Sequence, residues 1–143
     1  GDRQVIDWVK HHARSLIFSA SPPPASVASV IKAVEIIRRE PERRERLWDN
    51  TAYMKRELAA LGFDTGESAS PVIPVVVGED MTAFRMTTRL QEEGVFANPV
   101  VSPAVPPGRA MIRTSFMATH TRDHLDRALE AFALVGRELG ILE

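Results

Sequence analysis

The sequence predicts an α/β fold of the α+β sandwich kind, a small sheet with helices packed on one face. Three observations predict it. Long segments repeat apolar residues every three or four positions, as a half-buried helix does. Two short segments, residues 71–78 and 110–116, are β-branched or alternate in polarity, as strands do. The ten prolines cluster between these segments, where a fixed φ and a missing donor mark boundaries.

Size and composition narrow the function classes. The chain has 143 residues, of which 44% are apolar, enough for a packed domain. Eighteen basic residues against nineteen acidic ones leave a net charge of −1, so no basic footprint points to a nucleic acid or an anionic membrane. No apolar run reaches the roughly 20 residues of a bilayer span. The start, Gly1-Asp2-Arg3-Gln4, lacks the regions of a secretory signal. The absence of cysteine excludes a disulfide framework and a thiolate metal site, and fits a cytoplasmic protein.

The elements follow in order. Residues 3–15 form a polar helix, and Leu16-Ile17-Phe18-Ser19 is an apolar run expected to be a buried strand, ending at Pro22-Pro23-Pro24. Ser26 is placed to cap the next helix, on which Val27, Val30, Ile31, Val34 and Ile37 share a face until Pro41. A second long helix runs from Glu42 to about Leu61, with Leu47, Met54, Leu58 and Leu61 inward and Gly62 as its C-terminal cap. The strand from Pro71 to Gly78 contains Pro74, which cannot donate to a ladder and belongs at a sheet edge or a bulge. Asp80 is placed to cap a helix over 81–93 that buries Phe84 and Leu90, followed by Gly94 and an extended piece, Val95 to Asn98. A loop with four prolines, Pro99 to Gly108, leads into the strand from Ala110 to Phe116, in which Arg113 and Ser115 face one way and Ile112, Thr114 and Phe116 the other. Thr121 caps the last helix, whose buried stripe is Leu125, Leu129, Phe132 and Leu139, with Asp123 at the positive end of its dipole.

Self-contained catalytic motifs are missing. His11 and His12 are adjacent, and His120 and His124 lie at a helix start without carboxylate or thiolate partners at ligand spacing, so no metal site is expected. There is no Gly-x-Ser-x-Gly elbow and no Gly-rich phosphate loop. The cluster Arg38, Arg39, Arg43 and Arg44 alternates with Glu40, Glu42 and Glu45, the pattern of a solvated helix face.

Three stretches carry a family resemblance. Residues 16–25, Leu-Ile-Phe-Ser-Ala-Ser-Pro-Pro-Pro-Ala, resemble the segment in which α-oxoamine synthases pass from their large domain into a connecting helix. Residues 71–80, Pro-Val-Ile-Pro-Val-Val-Val-Gly-Glu-Asp, are similar to their first small-domain strand. Residues 98–121, from Asn98-Pro99-Val100 through Arg113-Thr114-Ser115 to Thr119-His120-Thr121, together with Leu125-Asp126-Arg127-Ala128-Leu129, resemble their C-terminal signature. The order of the three holds along nearly the whole chain.

That resemblance implies the C-terminal part of a fold type I enzyme dependent on pyridoxal phosphate, with residues 1–40 ending the large domain and connecting onward and 41–143 forming the small domain. The implied reaction condenses an amino acid with an acyl thioester of coenzyme A or a carrier protein. Carbon dioxide is lost and an α-amino ketone results, in a homodimer with active sites between subunits. The cofactor's lysine lies in a Ser-x-x-Lys segment before Gly-Gly in the family. Here the lysines are Lys10, Lys32 and Lys55, none in that setting. The chain is therefore expected to start downstream of the catalytic centre, to bind the cofactor only weakly, and to be inactive alone.

The same resemblance assigns site residues. Val101 stands where the family usually has a carboxylate-binding arginine. Arg113 matches a second arginine and is the first choice for substrate contact, a structural arginine paired to an acid or to carbonyls being the alternative. Ser102, Pro103, Ala104 and Val105 resemble a loop over the acyl entrance, or else a plain connector. Ser19 and Ser21 resemble hydroxyl positions near substrate or cofactor phosphate, or are ordinary turn residues. His120 matches an Ala-x-His-Thr turn and is expected to order the helix start. The rival functions are the small domain of a fold type I aminotransferase and a non-catalytic ferredoxin-like binding module.

Overall fold

A computed structural model describes residues 1–143, which form two compact units, Gly1–Arg39 and Glu40–Glu143. The first unit is helical, with α1 (Arg3–His12), α2 (Arg14–Ile17) and α3 (Pro24–Arg39). The Asp2 carboxylate caps α1 by accepting from the Gln4 amide at 2.9 Å. Residues Leu16 to Ser19 were expected as a buried strand, and they are a short helix and its turn instead, with Phe18 83% exposed. A lone strand has no neighbour here to take its amides, whereas the Ile17 and Phe18 amides reach the Ala13 and Arg14 carbonyls within the turn. Nor does Ser26 cap α3. The helix begins at Pro24, whose fixed φ and missing amide suit the first helical position. No residue of the three helices is buried, and Val30 and Ile31 are more than half exposed.

The second unit contains α4 (Glu42–Ala60), β1 (Val72–Gly78), α5 (Asp80–Glu92), β2 (Asn98–Val100), β3 (Ala110–Ser115) and α6 (Arg122–Glu138). The sheet is antiparallel, in the order β1-β3-β2. Pro74 lies in the edge strand β1, as its missing donor requires. Alternation divides the sheet into two faces. Ile73 with Thr114 and Val75 with Ile112 are cross-strand pairs on the covered face, all buried. Pro74, Arg113 and Asn98 form a row on the opposite face, where Arg113 is exposed.

The core is built on the covered face by Met54 and Leu58 of α4, Met86 and Leu90 of α5, and Leu125, Phe132 and Val135 of α6. Phe63 meets Phe132 edge to face, with ring centres 5.9 Å apart. Two expectations for α5 fail. Asp80 is the first helical residue rather than its cap, and Phe84 is 45% exposed, because Ala83, Met86 and Leu90 define the inward stripe. The extended piece expected over 95–98 starts pairing only at Asn98.

The last helix follows expectation at its start. The Thr121 hydroxyl accepts from the His124 amide, and the His124 ring accepts from the Thr121 amide, a reciprocal cap. Leu125 and Phe132 are buried, while Leu129 and Leu139 pack on the rim of the core. No helix is long and apolar enough to cross a membrane.

Candidate functional site

Residues 95–97 do not pair with β3, and the gap between them, the end of β3 and the start of α6 is a cleft of about 560 Å³. The size suits a small organic ligand. Its apolar floor comes from Met54, Leu125 and Phe132, and its rim carries Phe96, Arg113, His120, His124 and Arg127. Arg113 reaches the cleft from the exposed face of the central strand, and its guanidinium makes no hydrogen bond or ion pair within the chain.

The turn before α6 is held from below. Asn50 donates from Nδ2 to the carbonyls of Met117 at 3.1 Å and His120 at 2.9 Å. The Met117 amide donates to His120 Nδ1 at 3.3 Å. Burial pushes the His120 imidazole below its ordinary value, and the neighbouring His124 adds to the effect. His120 therefore orders the helix start by its backbone contacts. Asn50 escaped the sequence reading, although it stands four residues before Met54 and eight before Leu58, on the apolar stripe of α4.

The loop residues expected at the site do not line this cleft. Ser102, Pro103, Ala104 and Val105 lie in the loop after β2, where the Ser102 amide approaches the Asp80 carboxylate at 3.4 Å and the Ala104 amide donates to Val101 at 2.9 Å. Pro103 and Ala104 are exposed, Ser102 and Val105 half-buried, and Val101 packs against the core. Ser19 and Ser21 belong to the first unit. The Ser19 hydroxyl donates to the Leu16 carbonyl at 2.7 Å, and Ser21 is exposed. No group of three or more histidines and carboxylates is placed to hold a metal ion.

A family model described as Aminotransferase class I and II matches residues 1–132. The 8-amino-7-oxononanoate synthase of Symbiobacterium thermophilum is 50% identical over 142 residues, 99% of this chain and 36% of that protein. The serine palmitoyltransferase of Sphingobacterium spiritivorum is 51% identical over 141 residues, 99% of this chain and 35% of that protein. A solved serine palmitoyltransferase with a PLP internal aldimine superposes on 99% of this chain and 36% of its own, with a TM-score of 0.89 at 30% identity. The chain spans about a third of the length of these relatives. Its fold is that of the matching part of a fold type I enzyme, and its relatives are α-oxoamine synthases. The chain belongs to the aminotransferase class I and II family.

Proposed function

We propose that this chain supplies the substrate-facing small domain of a pyridoxal phosphate-dependent acyltransferase that joins an amino acid to an acyl thioester. The observation that carries it is Arg113, an exposed, unpaired guanidinium on the central strand at the rim of a cleft. A planar fork of donors suits a carboxylate, and an arginine held on a strand is better placed for that than one on a loop. With Val101 packed against the core, recognition of the amino acid carboxylate falls to Arg113. The relatives' names favour acyl transfer over amino transfer and over a non-catalytic module.

The residues present do not fit a covalent hold on the cofactor. Lys32 pairs with Glu35 at 3.0 Å, Lys55 donates to the Ser68 carbonyl at 2.9 Å, Lys10 is exposed on α1, and none of the three lines the cleft. The chain alone is then expected to hold pyridoxal phosphate on no single dedicated lysine, any reducible adduct being non-stoichiometric and spread over exposed amines, and to show no activity. Within the longer enzyme the cofactor supplies carbanion stabilisation, and this chain orients the carboxylate.

The test is a chimera in which this chain replaces the matching residues of the Symbiobacterium thermophilum synthase. Release of an amino ketone is expected. Arg113→Gln should raise KM for the amino acid about ten-fold or more, the worth of a charge-assisted hydrogen bond. A keto acid product, or a KM indifferent to Arg113→Gln, would sink the assignment.

A further inference from the structure

The lining of the cleft also carries His120, His124 and Arg127, with Asn98 and Ser115 beside Arg113, and the backbone dictates what the two imidazoles present. The Met117 amide donates to His120 Nδ1 and the Thr121 amide to His124 Nδ1, both at 3.3 Å. A ring nitrogen that accepts from an amide carries no proton, so each neutral imidazole keeps its proton on Nε2. The turn thus fixes both tautomers and leaves two Nε2–H groups that no acceptor of the chain meets. The rings stand edge to face with centres 6.4 Å apart. Arg127, three residues after His124 and so on the same side of α6, lines the cleft with a guanidinium that has no partner. One carboxylate lines the cleft, that of Glu93, and it is paired with Arg89 at 3.1 Å.

Cationic and N–H donors with no free carboxylate beside them, around an apolar floor, specify a ligand class. We propose that this cleft binds an oxyanion, carboxylate or phosphate, carried on an apolar chain, with His120, His124 and Arg127 holding the oxygens and Met54, Leu125 and Phe132 receiving the chain. Charge-assisted bonds to Arg127 fix the head, and the floor selects against small inorganic anions. The site rests on residues other than Arg113, so it stands or falls separately from the amino acid contact proposed above.

The experiment titrates the whole chain, with nitrogen-labelled histidine, against octyl phosphate, octanoate and inorganic phosphate while the ring signals are followed by NMR. The Nε2 signals of His120 and His124 should move together and saturate with octyl phosphate, octanoate or both, and the tighter of the two identifies the head group. Inorganic phosphate should bind at least about ten-fold more weakly, because it buries no apolar surface. Arg127→Gln, at an exposed position, should weaken the alkyl ligand about ten-fold. No saturable shift with either alkyl ligand, equal binding of inorganic phosphate, or indifference to Arg127→Gln overturns the proposal. Binding abolished by Arg113→Gln and untouched by Arg127→Gln also overturns it, while leaving the role of Arg113 intact.

Discussion

Asn50 is an asparagine in the middle of a 19-residue helix, where its side chain competes with the backbone and ordinarily weakens the helix. Here its amide satisfies two carbonyls of the turn that frames the cleft. Asn50→Ala leaves both unpaired and should cost about 1–3 kcal/mol, read as a lower urea midpoint with an unchanged slope. Its place on the stripe with Met54 and Leu58 was legible in the sequence. Its partners, 67 and 70 residues away, were not, because nothing local encodes which turn will lie over α4. His120 gives this region a pH dependence with a definite sign. The unfolded chain takes up the proton near 6.5 and the folded imidazole only at lower pH. Stability is therefore full above that value and falls as pH drops through the folded one. Protonation at Nδ1 would also remove the acceptor of the Met117 amide. The urea midpoint should fall between neutral and mildly acid solution, and fall less in His120→Gln.

Helix α6 is held at three places: its capped start, its core face and its clamp to α5. Arg89 of α5 bonds Glu138 near the end of α6 through Nε at 2.9 Å and Nη2 at 3.1 Å, and also reaches Glu92 and Glu93. These bonds hold Glu138 below the usual carboxylate range and raise Arg89 above its ordinary value. The clamp is solvated, so it contributes little and is screened by salt. Phe132, by contrast, is fully buried against Phe63. Phe132→Ala should cost about 3–5 kcal/mol, and Arg89→Met much less, with its effect vanishing at high salt, both measured by chemical denaturation. At this scale the Thr121 cap and the Leu125 and Phe132 positions could be read from spacing. The phase of α5 could not. Phe84 outweighs Ala83 in hydrophobicity, yet Ala83 shares the inward stripe with Met86 and Leu90 and Phe84 does not.

At the scale of the whole molecule the buried core lies within residues 50–142, and no residue of 1–39 is fully buried. A chain of residues 40–143 should therefore unfold with the same cooperative midpoint as the full chain. The full chain, which exposes the apolar faces of α2 and α3, should self-associate where the shorter one stays monomeric. Light scattering coupled to size exclusion decides this, and a monomeric full chain would count against it. By itself the sequence determined the family, the strands around Val75 and Ile112, the edge position of Pro74 and the presence of Arg113 on the polar face of its strand. These follow from local periodicity, proline chemistry and motif order, which a linear chain carries intact. Only the tertiary structure decided that residues 16–19 turn helical without a strand beside them. Only it leaves residues 95–97 unpaired from β3, opening the cleft, and sets His120, His124 and Arg127 along the rim where Arg113 arrives from the sheet. Those outcomes depend on which distant segments meet, and spacing along the chain does not record that.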